Sequence, residues 1–309
     1  MVKEISLVKF VINQTNAGSS KVAPVKNFVL PKPSSIESLR NRGLFFFPLP
    51  VVFSYFRPQQ TTYMKIEIVA YNIDSALKAQ EGGADRIELC DSPGDGGTTP
   101  SHGTIEVIRQ HLNIDVFVMI RPRGGDFHYN SYEYHAMKRD ILQCQKLSVD
   151  GVVFGILNPD GTIDKKRCRE LIEKARPLKV TCHRAFDMTR DPFEALEDCI
   201  EVGFDRILTS GQQPKALQGA DLIGELIKRA AGRIAIMPGS GVNEETVQDI
   251  VRKSGAREIH SAAVAYTTST MEYKNLAIAG MGSEEGSEFK LRTVDPQIVR
   301  NLRTLAEKV

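Results

Sequence analysis

From Lys65 onward the hydrophobic positions switch repeatedly between a period of two and a period near 3.6, so strands and helices alternate. Lys65 to Ala70 predicts a strand and Ile73 to Gln80 a helix with Asp74 near its start. Asp85 to Cys90 is a strand, Pro93 to Pro100 a glycine-rich loop, and Ser101 to His111 a helix. The alternation continues with strands at Val116 to Arg121, Gly151 to Leu157 and Lys179 to His183, and with helices at Ser131 to Leu147, Lys165 to Ala175 and Pro192 to Val202. Strands at Arg206 to Thr209, Arg233 to Met237 and Glu258 to Ala262 pair with helices at Leu217 to Ala230, Glu244 to Lys253 and Gln297 to Lys308. Short connections and Val/Ile-rich strands mark a parallel sheet. Eight such pairs over roughly 245 residues are what a closed (β/α)8 barrel requires, so the expected fold class is α/β, a TIM-type barrel. An open doubly wound sheet would place a Gly-x-Gly-x-x-Gly after its first strand, and here that strand runs into Val69-Ala70-Tyr71-Asn72. The phrases Gly83-Ala84-Asp85-Arg86-Ile87 and Gly203-Phe204-Asp205-Arg206-Ile207 each lead from helix to strand, as a repeating unit would.

Residues 1–63 lack this periodicity. They carry eight Lys/Arg against two Asp/Glu, a charge of +6, whereas the remainder is −4 despite a whole-chain value of +2. The segment therefore reads as an extension outside the fold: a basic, acid-poor transit peptide, a disordered arm, or sequence ahead of a start at Met64. The domain expectation is an extension over 1–63 and a barrel over 64–309. A mildly acidic body argues against nucleic acid as a partner. The longest apolar run, Gly43 to Phe56, spans about 14 residues and is broken by Pro48 and Pro50, too short for the roughly 20 a membrane span needs. Five cysteines without metal-type spacing predict free thiols in a reducing, cytoplasmic setting.

Function in such barrels sits at the carboxyl ends of the strands. Glu67 lies between Ile66 and Ile68, and Glu88 between Ile87 and Leu89. A carboxylate inside an apolar strand is costly unless paired, and Arg121 and Arg184 are the expected partners. The outcome is either a charge network plugging the barrel or an acid/base pair tuned by it. The strand ending at Ile120 runs into Arg121-Pro122-Arg123-Gly124-Gly125-Asp126, where two guanidinium groups can receive an anion. His183, between Cys182 and Arg184, is an acid/base or metal candidate. Gly239-Ser240-Gly241 and Ser261 fall where loops 7 and 8 of a barrel bind phosphate through backbone N–H groups. Cys90 is the cysteine best placed for a soft metal, whereas Cys144, Cys168 and Cys199 fall on helices as buried apolar residues.

Glu67, the run Gly83 to Cys90, Gly96-Gly97-Thr98-Thr99-Pro100-Ser101 and Ile120 to Phe127 together resemble the copper homeostasis family CutC. Thr181-Cys182-His183-Arg184-Ala185-Phe186-Asp187-Met188 and Leu208-Thr209-Ser210-Gly211 extend the likeness, which runs from about Met64 to Asn275. The resemblance implies a cytoplasmic TIM-type barrel associated with copper tolerance, binding Cu(I) through cysteines and self-associating into a homo-oligomer. The family often has a cysteine two residues after the strand 1 glutamate as a partner for the strand 2 cysteine. That position is Val69 here, leaving Cys90. Cys182 should not replace it, because it alternates with His183 and points to the other face.

Two functions follow. One is copper homeostasis with Cu(I) held at Cys90. The other is a barrel enzyme of lyase, isomerase or hydrolase type acting on a small phosphorylated or carboxylated metabolite. There Glu67 or Glu88 would be the base, His183 the proton partner and Arg121 the anion clamp. Arg123, Arg184, Gly239, Ser240, Gly241 and Ser261 would bind the anion. A scaffold with an inert barrel fits poorly with so many ionisable strand ends.

Overall fold

A computed structural model of the chain describes residues 63–275, 277 and 287–309. The expectations for the N-terminal extension lie outside these residues, apart from Tyr63 at its end. Eight parallel strands form the barrel wall: β1 (Lys65–Ala70), β2 (Arg86–Leu89), β3 (Asp115–Met119), β4 (Gly151–Phe154), β5 (Lys179–Cys182), β6 (Arg206–Thr209), β7 (Ala235–Pro238) and β8 (Glu258–Ser261). They pair in chain order from β1 to β7, β8 pairs back onto β1, and β7 lies beside β8. Around them run α1 (Ile73–Glu81), α2 (His102–His111), α3 (Ser131–Lys146), α4 (Lys165–Ala175), α5 (Pro192–Val202), α6 (Ala220–Ala230), α7 (Val247–Ser254) and α8 (Pro296–Ala306). The TIM-barrel expectation holds.

The recurring Asp before a strand has a structural reason. Asp85 Oδ2 accepts the N–H of Ile66 at 2.7 Å, and Asp205 Oδ2 that of Val180 at 2.9 Å. Asp150, in a phrase without the glycine, accepts the N–H of Val116 at 2.8 Å. Each carboxylate caps the open N–H at the start of the preceding strand, which fixes one strand against the next. Helix starts are capped likewise. Asn72 accepts from Ser75, Asp191 from Phe193 and Glu194, and Asn130 forms a reciprocal capping box with Glu133.

The sequence pattern did not reveal a two-stranded antiparallel hairpin, β9 (Val264–Thr268) with β10 (Lys290–Val294). Both strands are short, largely exposed and widely separated, so neither shows a clear buried face. The hairpin is tied to α1: Asn72 Nδ2 donates to Arg292 O at 2.9 Å, and Thr293 Oγ1 donates to Asp74 Oδ2 at 2.5 Å.

The interior of the barrel is layered. Near the amino ends of the strands, Arg86 bonds Glu67 and donates to Glu258 at 2.8 Å, while Arg206 Nε donates to Glu258 at 2.5 Å. Higher up, Val69, Cys90, Phe117, Met119 and Val153 form a small apolar layer. Outside the wall, strands and helices share one continuous core that holds Cys144, Cys168, Cys182 and Cys199, so Cys182 does face away from the mouth.

Candidate functional site at the barrel mouth

Strand register brings the ionisable groups together. Glu67 lies opposite His260 on β8 and Arg86 on β2, and Val69 lies opposite Glu88. His260 Nδ1 and Glu67 Oε1 are 2.7 Å apart, and His260 Nε2 is 3.9 Å from Glu88 Oε2. Glu67, Glu88 and His260 thus offer ligand atoms within 4.8 Å of one another. Glu67 takes Arg86, its cross-strand neighbour, as its ion-pair partner in place of the expected Arg121 or Arg184. Arg86 was read only as a strand residue, and the register is what turns it inward.

The electrostatics separate the two carboxyls. Burial opposes the charge of Glu67, but Arg86 and the hydrogen bond to His260 outweigh it and hold the group below the usual carboxylate range. Glu88 has no such guanidinium in contact, and burial pushes it well above that range despite the pull of His260. For His260, burial works against the charge, yet Glu88 and Glu67 raise it. His183 moves the opposite way, lowered to about 3 by burial and by the Arg121 charge.

His183 is therefore neutral, and its tautomer is set by its neighbour. Nδ1 accepts the N–H of Ala185 at 3.2 Å, which leaves the proton on Nε2. Its ring packs 4.8 Å from Phe127 and against Gly155. A Cβ at Gly155 would stand 2.9 Å from Nδ1, so only glycine admits the ring there.

Glu88, His183 and His260 line one cavity of about 230 Å³, with Tyr71, Arg121 and Arg184. Among the described residues, Glu88 Oε1, His183 Nε2 and Arg121 Nε are buried without a hydrogen-bond partner. The other donors of Arg121 are occupied: Nη1 donates to Asp95 O and Gly97 O, and Nη2 to Gly125 O. Arg121 thus ties down two loops while one donor stays uncommitted. Arg184 donates to Asp187 at 2.8 Å and to Ser210 Oγ at 2.9 Å. Asp187 also accepts Thr209 Oγ1 at 2.5 Å, fixing the loop after β6.

The remaining candidates are spread around the rim. Arg123 lies outside the cavity, where Nε donates to Glu133 at 2.7 Å and Nη2 to Asp126 at 2.9 Å, bracing the loop into α3. A second cavity of about 380 Å³ includes Ser240, Gly241 and Ser261 and shares Ser240 and His260 with the first. Gly239 packs between Leu208 and His260. Ser240 Oγ donates to Pro214 O and Ser261 Oγ to Val242 O, so both hydroxyls shape the loops.

Cys90 is buried just past the end of β2, two residues after Glu88. Its Sγ–H donates to Glu88 Oε2 at 3.6 Å, and burial together with that carboxylate raises the thiol well above its ordinary range. Val69 supplies no donor. Cys90 and Met119 follow the paired residues Leu89 and Val118, so they stand side by side at adjacent strand ends. Gly97, at φ +101°, presses on both: a Cβ there would lie 3.1 Å from Cys90 Sγ and 3.6 Å from Met119 Cε. His260 and Met119 were not selected from the sequence, because their roles depend on neighbours distant in the chain. Only the position of His260 at the end of the last strand hinted at one.

Fold and site define a TIM-barrel protein with a buried ionisable pocket at the carboxyl ends of its strands. The CutC family model matches residues 64–265, and the chain belongs to the CutC family. It is 46% identical over 244 residues to a human copper homeostasis protein cutC homolog, covering 79% of this chain and 89% of the relative. A CutC family protein of Parabacteroides distasonis is 51% identical over 236 residues, covering 76% and 97%. The crystal structure of CutC from Streptococcus agalactiae superposes with a TM-score of 0.62 at 35% identity, covering 64% of this chain and 97% of that one. Among the described residues, no helix is long and apolar enough to cross a membrane.

Proposed function

We propose that this chain holds an acid–base site for a small phosphorylated or carboxylated metabolite at the barrel mouth. What carries the reading is the gathering of three buried, unpartnered polar atoms around one cavity: an acceptor on Glu88, a neutral donor on His183 and a cationic donor on Arg121. Each unmade bond costs about 1–3 kcal/mol, which a bound ligand would recover. Glu88 would take a proton from the ligand, with His260 beside it held in place by Glu67. His183 Nε2–H and Arg121 would face the negative charge that develops, and Arg184 would hold an anionic group. The loops at Gly239, Ser240, Gly241 and Ser261 would receive the far end of a longer ligand.

The test is a thermal-stability screen of the full chain against phosphorylated and carboxylated metabolites. At a free concentration near 100 times Kd a true ligand adds about 2.7 kcal/mol. At least one compound is expected to raise Tm in the parent and to lose that effect in Glu88→Gln and in His183→Gln, provided both fold as the parent does. Equal stabilisation of all three proteins, or no stabilising compound at all, would remove the reading.

A second reading is favoured by the Cys90 thiol, buried at the end of β2 beside Glu88. Under it, Cu(I) is the cargo, taken up on a soft sulfur ligand in a cytoplasmic setting. Support for that setting comes from the five cysteines, all unpaired and buried. Stoichiometric Cu(I) uptake that vanishes in Cys90→Ser is the expected result, and uptake by Cys90→Ser equal to the parent's would exclude the ligand.

A further inference from the structure

We propose that the thioether of Met119, on β3, is the second sulfur ligand for Cu(I) beside Cys90, supplied from the side of β2 away from Val69. The inference rests on the copper reading above and adds a residue that reading does not name.

A single thiol does not make a copper site, so three observations have to converge. The first is adjacency. Cys90 and Met119 sit at neighbouring positions on adjacent parallel strand ends, belong to the same buried layer, and both lie within 4 Å of where a Cβ on Gly97 would stand. Neighbouring strands lie about 4.8 Å apart, a span that two sulfurs around one small ion can bridge. The second is chemical type. Thiolate and thioether are the donors that select Cu(I), and Val69, Phe117 and Val153 of the same layer are apolar, while the oxygen groups beside it are Glu88 and Tyr71. The third is charge. Glu88 is 4% exposed, its Oε2 accepts from the Cys90 thiol at 3.6 Å, and its Oε1 has no partner. An unsatisfied buried carboxyl oxygen beside the thiol favours a cation there.

The step is simple in its accounting. One Cu(I) bonds to Cys90 Sγ as the S–H bond breaks, one proton leaves, and Met119 Sδ donates a lone pair without losing anything. No electron changes hands. The thioether also explains how a chain with Val69 could retain soft-metal binding. Met is unbranched, with a flexible end that can turn its sulfur toward an ion without moving the strand.

The experiment is an anaerobic Cu(I) titration of the full chain against a chromophoric chelator, with X-ray absorption on the loaded protein. Parent, Met119→Leu, Cys90→Ser and the double variant are compared, each checked for parental circular dichroism and Tm. Met119→Leu nearly conserves volume, so the fold should survive it. The parent should bind one Cu(I) with two sulfur scatterers. Met119→Leu should bind at least tenfold more weakly and show one sulfur, and Cys90→Ser should lose binding. Parent-like affinity in Met119→Leu combined with loss in Cys90→Ser would overturn the Met119 assignment and leave the copper reading standing. A nitrogen/oxygen shell would place the ion on Glu88 and His260 and overturn the assignment. Binding indifferent to both substitutions, or no binding by the parent, would overturn the copper reading and the assignment together.

Discussion

At the scale of single residues, the decisive feature is which polar groups the fold leaves without partners. His183 illustrates the point. Its Nδ1 is committed to the Ala185 amide, its ring is boxed by Phe127 and Gly155, and burial beside Arg121 lowers its pKa from about 6.5 to about 3. A group whose folded pKa is depressed in this way binds fewer protons when folded than when unfolded. As pH falls below about 6.5 the unfolded chain gains a proton that the native state refuses, so stability drops by up to about 1.4 kcal/mol per pH unit until pH approaches 3. Two measurements check this. The His183 imidazole resonances should stay in the Nε2–H tautomer from pH 8 to pH 5, and the acid loss of stability over that range should be shallower in His183→Gln. A titration midpoint near 6.5 in the native protein would contradict the assignment and remove the neutral donor from the site.

At the scale of elements, loops matter as much as strands. The glycine-rich loop between β2 and α2 is held by Arg121 through Asp95 O and Gly97 O, and Gly97 lies directly over Cys90 and Met119. Gly97→Ala would combine a strained positive φ with a Cβ 3.1 Å from Cys90 Sγ. A loss of about 1 kcal/mol or more is expected, together with altered reactivity of the Cys90 thiol toward alkylating reagents. An unchanged Tm and unchanged thiol reactivity would show that the loop does not cover the sulfur. The same loop shows what the sequence could and could not reveal. The alternation of strands and helices was legible because each of the eight barrel strands sets apolar residues against the surrounding helices. Glu67, Glu88 and His183 were legible because polar residues interrupt those apolar runs. Arg86 as the partner of Glu67, His260 beside Glu88 and Met119 beside Cys90 were not, since register between strands decides them and no local pattern carries register. The β9–β10 hairpin was missed for a related reason: its pairing partners lie more than twenty positions apart, and among the residues of the two strands only Thr293 and Val294 are buried.

At the scale of the whole molecule, the barrel is cross-braced from within. Glu258 on β8 reaches Arg86 on β2 and Arg206 on β6, and Arg86 in turn holds Glu67 on β1. Four strands from different parts of the wall therefore share one buried charge network beneath the mouth. Both guanidinium groups also lie over the Phe117 ring, at 4.8 and 5.5 Å from its centroid. Burial alone would raise Glu258, but Arg206 and Arg86 outweigh it and hold its carboxyl below the usual range. Its contribution to stability is therefore full above the unfolded carboxylate range near pH 4.3 and is lost as pH falls through the lower folded value. Replacing it by Glu258→Gln leaves Arg206 without its carboxylate partner and removes one of two from Arg86. Loss of one member of a fully buried ion pair typically costs about 3–5 kcal/mol, and a smaller cost is expected here because Glu258 is only partly buried and Glu67 still faces Arg86. Chemical denaturation at pH 7 measures this directly, and the same experiment at pH 3 separates it from a packing effect. The gap between parent and variant should narrow as the parental carboxyl takes up its proton. A gap that persists undiminished into strong acid would assign the loss to shape rather than charge. The mouth adds a second readout. Because Glu67 orients His260 only while Arg86 keeps it ionised, a weakened network should also loosen His260 beside Glu88. Metabolite stabilisation should then fall in Glu258→Gln although Glu258 does not line the mouth cavity.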